Sequence, residues 1–466
     1  MKKQAFNPYL PSWEYIPDGE PYVFGDRVYV FGSHDYYNGP VFCPGDYMGY
    51  SAPVDDLGNW RCEGVIYRKE DDPLNKDGKM CLYAPDVTVG SDGRYYLYYV
   101  LDHVSVVSVA VCDTPAGKYE FYGYVHYEDG TLLGEKEGDE PQFDPGVLTE
   151  GEVTYLYTGF CGRGDKSRTG TQCTVLGKDM LTIVENPVIV APGCEYGEGT
   201  GFEGHTFFEA PSIRRINDTY YLIYSSTWMH ELCYATSKDP RGKFTYGGVI
   251  VSNTDVGIDS YKDKERIMAY GANNHGSIVK INDEWYIFYH RHTNASWYNR
   301  QGCAEKIVVR EDGSIPQVMI TSCGLNRGPL VGKGTYPAYI ACHIYVEDKP
   351  SLFVEEGQPR VMQDGRDGDE NQGYIGHVCH NTVIGFKSFD CKDVKTIGLE
   401  LRGYMGGDFE IIDGLDGKVI GTVKDVPNCN VWEHFETEVS LEDGVHDIYV
   451  AYRGYGTAAI GAIEFR

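Results

Sequence analysis

The chain has 466 residues, with 69 acidic and 41 basic side chains and a formal net charge of -28 at pH 7. That charge repels phosphate backbones and anionic lipid surfaces, so we expect no nucleic acid and no membrane among its partners. The length exceeds what one ordinary hydrophobic core supports, so we expect the chain to divide into domains.

The N-terminal segment from Met1 to Pro8 contains no apolar core of a signal peptide. Fourteen cysteines are scattered singly along the chain, without a Cys-x-x-Cys pair. In a large chain this pattern indicates reduced, mostly buried thiols rather than a disulfide framework. We therefore predict a cytoplasmic protein. The sequence does not predict an oligomeric state.

A turn followed by an aromatic-rich run recurs five times before residue 290. In each copy Asp, Asn, Glu or Gly precedes a short run of aromatic and β-branched residues, which is typical of a β-hairpin. The copies lie roughly 60 to 67 residues apart, a spacing typical of repeated small sheets. Their turns are Gly25-Asp26, Asp92-Gly93, Glu150-Gly151, Asn217-Asp218 and Asn282-Asp283. The repeat predicts a five-bladed β-propeller.

Four of the five predicted blades have an acidic residue beside a proline, near the start of the inner strand. These acids are Asp18, Asp86, Asp144 and Glu209, and the fifth blade has His275 at that point. Equivalent blade positions converge on the propeller axis, so we expect these side chains to meet in one funnel. Confined carboxyl groups separate their pKa values, as the acid and base of a glycosidase require. The alternative for any single acid is to cap a turn or to join blades.

The chain changes character after residues 324–334, which are rich in Gly, Pro and Asn. We assign residues 1–330 to the propeller. From about residue 340, short runs that alternate apolar and polar residues predict a β-sandwich of jelly-roll type over residues 340–466. No stretch of useful length has helical periodicity, so the predicted fold class is all-β.

Several motifs of the predicted propeller resemble glycoside hydrolase family 43, over about 320 residues. The motifs are Asn7-Pro8 through Pro17-Asp18, Val28 through Asp35, and the segments around Asp86, Asp144 and Glu209. The resemblance implies a five-bladed propeller that acts as an inverting glycosidase on an oligosaccharide substrate.

The same resemblance implies roles for individual residues. Asp18 would be the general base, Glu209 the general acid, and Asp144 the carboxylate that orients the acid and raises its pKa. Asp86 would support the site from behind, and we count it among the substrate-binding candidates. Glu20 lies close to Asp18 in sequence, and if Glu20 faced the axis instead, the base assignment would move to it.

His275 matches a family histidine at the axis that often binds a calcium ion, with water in the other positions. The alternative is a hydrogen-bonded buried histidine without metal. Arg300 resembles an arginine that reaches the sugar or the third carboxylate, where it would keep Asp144 ionised; the alternative is a surface arginine. His34 and Trp228 complete the substrate-binding candidates, and no organic cofactor is expected.

The C-terminal domain resembles carbohydrate-binding module family 6. The matching segments are Gly373 to Ile375, Trp432 to His434 and Val439 to Tyr449. Sugar-binding members stack the ligand between aromatic rings, one of them near the C-terminus, but residues 459–463 of this chain contain no aromatic side chain. We therefore favour a packing or rim-forming role over sugar binding.

Together these features predict an exo-acting, inverting glycosidase that releases a terminal pentose from oligosaccharides of plant hemicellulose. The pentose would be α-L-arabinofuranose, β-D-xylose or both. Residues 36–48 and 292–302 form long segments that can close one end of the funnel, as exo action requires. An endo-acting arabinanase or xylanase with an open groove stays an alternative. Non-catalytic propellers that bind sugar or protein are others, although a protein-binding propeller gives no reason for four axial acids.

Overall fold

The structure is a computed structural model that describes residues 4–466. Residues 1–3 belong to the predicted propeller domain and to the N-terminal segment that contains no signal-peptide core, and they lie outside the described residues. Within residues 4–466 the helical elements are three short 3-10 helices, Lys69–Asp71, Pro73–Asn75 and Ala338–Ile340. The prediction of an all-β chain is confirmed.

Residues 20–307 form five antiparallel sheets that follow one another along the chain. The first contains β1 (Glu20–Phe24), β2 (Arg27–Phe31), β3 (Tyr47–Pro53) and β4 (Arg61–Tyr67). The second contains β5 (Asp86–Val89), β6 (Tyr95–Tyr99), β7 (Ser108–Cys112) and β8 (Glu120–Tyr124). The third contains β9 (Gly146–Glu150), β10 (Val153–Thr158), β11 (Gly170–Leu176) and β12 (Ile183–Pro192). The fourth contains β13 (Phe207–Ile216), β14 (Thr219–Ser226), β15 (Glu231–Ser237) and β16 (Thr245–Ser252). The fifth contains β17 (Ile278–Ile281), β18 (Glu284–His292) and β19 (Arg300–Ile307).

The five sequence repeats are the turns between the first two strands of each sheet. Each turn contains one residue with left-handed backbone, and that residue is always Gly or Asn, the types that adopt this conformation at least cost. The φ angles are 63° at Gly25, 82° at Gly93, 66° at Gly151, 56° at Asn217 and 55° at Asn282. The predicted five-bladed propeller is confirmed.

Separate apolar clusters join neighbouring blades, and the alternation of side chains along each strand explains them. Tyr221 and Ile223 of β14 pack toward the fifth blade, whereas Leu222 and Tyr224 pack toward the third. Because both faces of a blade are buried, its strands are aromatic and aliphatic throughout rather than alternately polar. This packing accounts for many of the 39 tyrosines.

The N-terminal segment closes the ring by lying along β19. The Asn7 side chain donates to the carbonyl of Ala304 at 3.0 Å and accepts from the Ala304 amide at 2.9 Å. The Tyr9 amide donates to the carbonyl of Gly302 at 3.1 Å. Near the axis, Gly19 and Gly276 form a parallel bridge between the first and fifth blades. The two ends of the propeller sequence are therefore fixed to each other.

The remaining strands form a sixth, ten-stranded sheet that curls around its own apolar core. Two long strands pair along most of their lengths and hold the sheet together. The strands are β20 (Leu330–Gly332), β21 (Gly334–Pro337), β22 (His343–Val346), β23 (Arg360–Met362), β24 (Tyr374–Val378), β25 (Thr382–Cys391), β26 (Thr396–Asp413), β27 (Lys418–Val426), β28 (Cys429–Glu438) and β29 (Gly444–Phe465). The predicted fold class is thus confirmed for this part too, while the division into two domains between residues 330 and 340 stays a prediction.

The sixth sheet contacts the propeller through buried polar groups. His343 on β22 lies 2.9 Å from Asp255, and both side chains are fully buried. Arg291 on β18 donates to the carbonyls of Ala341 and Cys342, at 3.2 Å and 2.9 Å. These contacts fix the sixth sheet against the fourth and fifth blades.

The fourteen cysteines all lie within the described residues as free thiols, and eight are buried. Over residues 4–466, no helix has the length and apolar character needed to cross a membrane. The cytoplasmic location stays a prediction.

Candidate active site

A cavity of about 280 Å³ lies where the inner strands of the blades converge. Five of the predicted site residues line it: Asp18, Asp144, Glu209, His275 and Arg300. The rest of the wall is largely aromatic, from Phe42, Tyr83, Phe143, Phe160, Phe208 and Trp297. A mostly apolar cavity with a few convergent charged groups is typical of a site for a small ligand.

Local backbone geometry directs the acids into this cavity. Asp18 and Asp144 have left-handed φ angles of 57° and 45°, and Ala210, which follows Glu209, has 63°. Glu209 lies between two register shifts in the pairing of β13 with β14. Such bulges and unfavourable backbone conformations turn side chains out of the sheet, and they persist where function requires them.

Close packing of two inner strands brings Asp144 to Glu209. A Cβ atom at Gly146 would lie 2.1 Å from the carbonyl oxygen of Pro211, so only glycine fits there. The approach allows the Ala210 amide to donate to Oδ2 of Asp144 at 3.1 Å. In the sequence Asp144-Pro145-Gly146, the aspartate therefore serves the chemistry of the site and the glycine allows the two strands to approach.

Asp18 is held in its ionised form by a buried arginine. Arg300 is 2% exposed on its side chain, and its Nη1 donates to Oδ1 of Asp18 at 2.8 Å. Burial favours the neutral acid, but the guanidinium outweighs burial and holds the pKa of Asp18 well below its usual range. Arg300 is fixed in turn by Asp35, which accepts from Nε at 2.8 Å and from Nη2 at 3.0 Å.

A histidine supports Asp18 from behind. Nε2 of His290 lies 3.0 Å from the carbonyl oxygen of Asn273 and must donate to it. Nδ1 is then free to accept from the Asp18 backbone amide at 3.3 Å. Burial lowers the pKa of His290, which agrees with a neutral ring in this tautomer.

Asp144 and Glu209 show the opposite shift. Burial, together with the nearby charge of Asp18, raises the pKa of Asp144 to about 7. Burial and the charge of Asp144 raise the pKa of Glu209 well above its usual value. The cavity therefore contains a carboxylate that stays ionised and a carboxylic acid that keeps its proton.

His275 lies between two carboxyl groups at the axis. Its Nε2 is 3.6 Å from Oε1 of Glu20, and its Nδ1 is 3.8 Å from Oδ2 of Asp144. Burial opposes protonation of the ring, but these carboxyl groups and Asp18 raise the pKa of His275 to about 9. Oε1 of Glu20 accepts no hydrogen bond from any described residue. Once His275 loses its proton, its nitrogen and the Glu20 oxygen fit a cation that keeps water in its other positions.

Another possible ligand cluster lies outside the cavity wall. His205, Glu231 and Cys233 have ligand atoms within 4.8 Å of one another. Nδ1 of His205 and Oε2 of Glu231 already form a hydrogen-bonded pair at 2.9 Å. Burial raises the pKa of the Cys233 thiol, which disfavours the thiolate that a metal would need. Hydrogen bonding therefore explains this cluster without a metal.

Three predicted substrate-binding residues, Asp86, His34 and Trp228, do not line the cavity, so their contact with substrate stays a prediction. Asp86 is buried behind it and joins blades, accepting from the Tyr22 hydroxyl at 2.6 Å and the Val147 amide at 2.7 Å. Nδ1 of His34 contacts the Asp46 carbonyl at 3.1 Å. Trp228 is half exposed, and the Arg163 guanidinium lies 4.9 Å from its ring.

The structure also places two charged residues for which the sequence left alternatives open. Arg300 is buried rather than on the surface, and its ion pairs are with Asp18 and Asp35 rather than with Asp144. Glu20 does not line the cavity. It pairs with Arg214 at 2.6 Å and is 1% exposed, so Asp18 is the acid that faces the axis from the first blade.

Sequence reasoning missed Asp35, His290 and Trp297. Asp35 ends the motif that also contains His34, but it lies after the second strand of its blade, whereas the axial acids were sought near the start of the first. Trp297 lies in the segment 292–302 that was predicted to close the funnel, and Phe42 lies in the segment 36–48. Only the folded chain shows which side chains of these segments reach the cavity.

Residues 22–315 match the family described as Glycosyl hydrolases family 43. A Xylosidase/arabinosidase of Thermoclostridium stercorarium is 63% identical over 466 residues, covering 99% of this chain and 98% of that protein. A Bacillus subtilis arabinoxylan arabinofuranohydrolase, solved in complex with cellotetraose, is 22% identical and has a TM-score of 0.54, with 98% of this chain and 97% of that chain covered. A β-xylosidase/α-arabinofuranosidase from a compost metagenome, solved with xylotriose in a calcium-free form, is 25% identical and has a TM-score of 0.51, covering 68% of this chain and 98% of that one.

Proposed function

The chain belongs to glycosyl hydrolase family 43, and we propose that it releases one terminal pentose, α-L-arabinofuranose or β-D-xylose, from short oligosaccharides with inversion of configuration. The observation that carries the proposal is the pair of carboxyl groups in one cavity, Asp18 and Glu209, whose pKa values move in opposite directions. The relative from Thermoclostridium stercorarium supports both pentoses through its name.

In this mechanism Asp18 is the general base and Glu209 the general acid. The Asp18 carboxylate takes a proton from water as the water oxygen bonds to the anomeric carbon. Glu209 gives its proton to the glycosidic oxygen as the bond from that oxygen to the anomeric carbon breaks. The products are a free pentose and a shortened oligosaccharide, and a later proton exchange with solvent restores both carboxyl groups.

Asp144 and Arg300 act on these two residues rather than on the bonds. The charge of Asp144 raises the pKa of Glu209, so it keeps the acid protonated until the glycosidic oxygen develops negative charge. Arg300 does the reverse for Asp18, and Asp35 holds the guanidinium in place. In this proposal Asp144 and Arg300 are both positioning residues.

The cavity wall supports exo action. Phe42 and Trp297, from the two long segments, line the cavity together with the axial acids. An endo-acting enzyme needs a groove open at both ends, and a non-catalytic propeller gives no reason for a protonated acid beside an ionised one. Both alternatives predict no release of single pentose units.

A calcium ion at the axis is a further part of the proposal, supported by the unsatisfied oxygen of Glu20. Nε2 of His275 and Oε1 of Glu20 would hold it, and its charge would favour the ionised form of nearby carboxyl groups. We expect calorimetric titration of the chelator-treated protein to show binding of Ca²⁺ that His275→Ala removes. His230→Ala, at a histidine outside the cavity wall, is the control. No binding to the parent protein contradicts the calcium site.

For the sixth sheet we propose a packing or rim-forming role within a fold related to carbohydrate-binding module family 6. Tyr374 and Trp432, two of the aromatic residues of the resembling motifs, both pack against one arginine. The guanidinium of Arg402 lies 4.7 Å from the Tyr374 ring and 4.3 Å from the Trp432 ring. A sugar would have to displace this side chain, which is also paired with Asp364 at 2.6 Å.

The test of the activity is a matched pair of aryl pentosides, 4-nitrophenyl α-L-arabinofuranoside and β-D-xyloside. We expect release of nitrophenol from at least one, and proton NMR at early times should show the product sugar with inverted anomeric configuration. Asp18→Ala should remove the release from both. If the parent protein cleaves neither pentoside and none of the corresponding oligosaccharides, the proposed function is excluded.

A further inference from the structure

A row of aromatic side chains leads out of the catalytic cavity onto the sixth sheet. Phe42 lies under the Arg300 guanidinium at 4.8 Å, beside Asp18. Trp297 follows, with its ring centre 6.4 Å from that of Phe42. Phe353 is next, 5.5 Å from Trp297 and at 83° to it. Phe353 lies between β22 and β23, so the row crosses from the propeller to the sixth sheet.

The outer two rings of this row are unusually open to solvent. Trp297 is 41% exposed and Phe353 is 46% exposed. A phenylalanine that served packing alone would gain more free energy from being buried. Exposed aromatic surface that continues a cavity wall is typical of a binding surface. The two rings are nearly perpendicular and therefore form an open corner.

The position of this corner is fixed by hydrogen bonds between the propeller and the segment that contains Phe353. The Gly271 amide donates to the Leu352 carbonyl at 2.8 Å, immediately before the cavity residues Ala272 and Asn273. Farther along the segment, the Val361 amide donates to the Thr293 carbonyl at 2.8 Å.

Two side chains add to these ties. The Tyr270 hydroxyl donates to the Pro359 carbonyl at 2.7 Å, and the Asn294 side chain donates to the Val361 carbonyl at 2.7 Å. The segment is therefore tied on both sides of Phe353 to the stretches of chain that shape the cavity. Such ties keep the corner formed before substrate arrives, so little ordering free energy is needed on binding.

We propose that Trp297 and Phe353 form the subsite for the leaving-group sugar, so that the sixth sheet supplies part of the substrate-binding surface. The inference rests on the proposed function, since a terminal pentose in the cavity places the next sugar at its mouth. A neutral sugar ring presents a face of C–H groups, which packs on an aromatic ring, while its hydroxyl groups point to water. The chemical class of this ligand is a neutral pentosyl or hexosyl unit of an oligosaccharide.

The test compares a substrate that fills the subsite with one that does not. The first is a trisaccharide with the preferred terminal pentose, and the second is the methyl glycoside of the same pentose. For Phe353→Ala we expect kcat/KM to fall about five-fold for the trisaccharide, mainly through KM, and to stay unchanged for the methyl glycoside. Phe353→Tyr should retain the parent value. Tyr455→Ala, at an exposed aromatic residue elsewhere on the sixth sheet, is the control.

Each other outcome overturns the inference. An unchanged kcat/KM for the trisaccharide means that Phe353 does not contact the leaving group. An equal fall for both substrates means that the ring only supports Trp297. A parent protein that cleaves neither substrate overturns the proposed function, and the inference with it. A thermal melt of each variant shows whether a loss reflects unfolding.

Discussion

Replacing Glu209 by Gln should lower kcat for a pentose-terminated oligosaccharide by about 10²- to 10⁴-fold, the usual contribution of a general acid. The amide keeps the size of the side chain but has no acidic proton for the glycosidic oxygen. Because burial and the charge of Asp144 raise the pKa of Glu209 and so favour its protonated form, the substitution changes the charge of the site little, and we expect the variant to stay folded. Steady-state kinetics on a natural oligosaccharide and on a 4-nitrophenyl pentoside measures the effect.

The leaving group distinguishes an acid from a merely structural residue. Nitrophenolate departs without protonation, so kcat for the aryl pentoside should fall much less than kcat for the oligosaccharide. Equal losses on both substrates would contradict the assignment of Glu209. Glu305→Gln is the matched control, because burial also raises the pKa of Glu305, to about 7, although this residue lies outside the cavity wall.

The same pair of residues determines the pH dependence of the reaction. Glu209 acts in its protonated form, so kcat/KM should fall as the pH rises through the raised pKa of this residue. Asp18 acts in its ionised form, and its lowered pKa keeps it ionised until the pH falls well below the usual range of an aspartate. The profile on the aryl pentoside should therefore lose its alkaline limb in Glu209→Gln.

The turns and axial acids were predictable because they depend on local chemistry that each blade repeats. A hairpin turn needs a left-handed residue, and Gly93 or Asn217 marks such a turn in any sequence. Likewise, Asp144 and Glu209 occupy equivalent places in successive blades. A repeated signal of this kind can be read without knowing which parts of the chain meet.

Residues that act through non-local contacts could not be predicted in this way. Asp35 matters because it holds Arg300, which is 265 positions away in sequence. Phe353 contacts Trp297 because the chain on either side of it, at Leu352 and Val361, hydrogen-bonds to Gly271 and Thr293. Trp228 shows the converse, since an aromatic residue near the acid in sequence packs with Arg163 and does not line the cavity.

Replacing Asp18 by Asn should lower kcat about 10²- to 10⁴-fold on every substrate, including the aryl pentosides. Activation of water does not depend on the leaving group, so a good leaving group should not reduce the fall in kcat. This uniform loss contrasts with the selective loss predicted for Glu209→Gln, and the two variants together assign the base and the acid. A loss confined to poor leaving groups would contradict the role of Asp18 as base.

The fold should survive this substitution, because Arg300 keeps its two hydrogen bonds to Asp35. Asp35→Asn is the informative comparison. It leaves Asp18 in place but frees the guanidinium from its second carboxylate, so we expect a smaller loss of kcat than in Asp18→Asn. Circular dichroism and a thermal melt of both variants separate loss of chemistry from loss of structure.

Arg300→Gln tests why Asp18 stays ionised. Burial alone raises the pKa of Asp18, and the guanidinium at 2.8 Å reverses that effect. Without the charge, the acidic limb of kcat/KM should move toward neutral pH, because Asp18 then takes up a proton before the pH falls far. An acidic limb at the parent position would mean that a group other than Arg300 keeps Asp18 ionised.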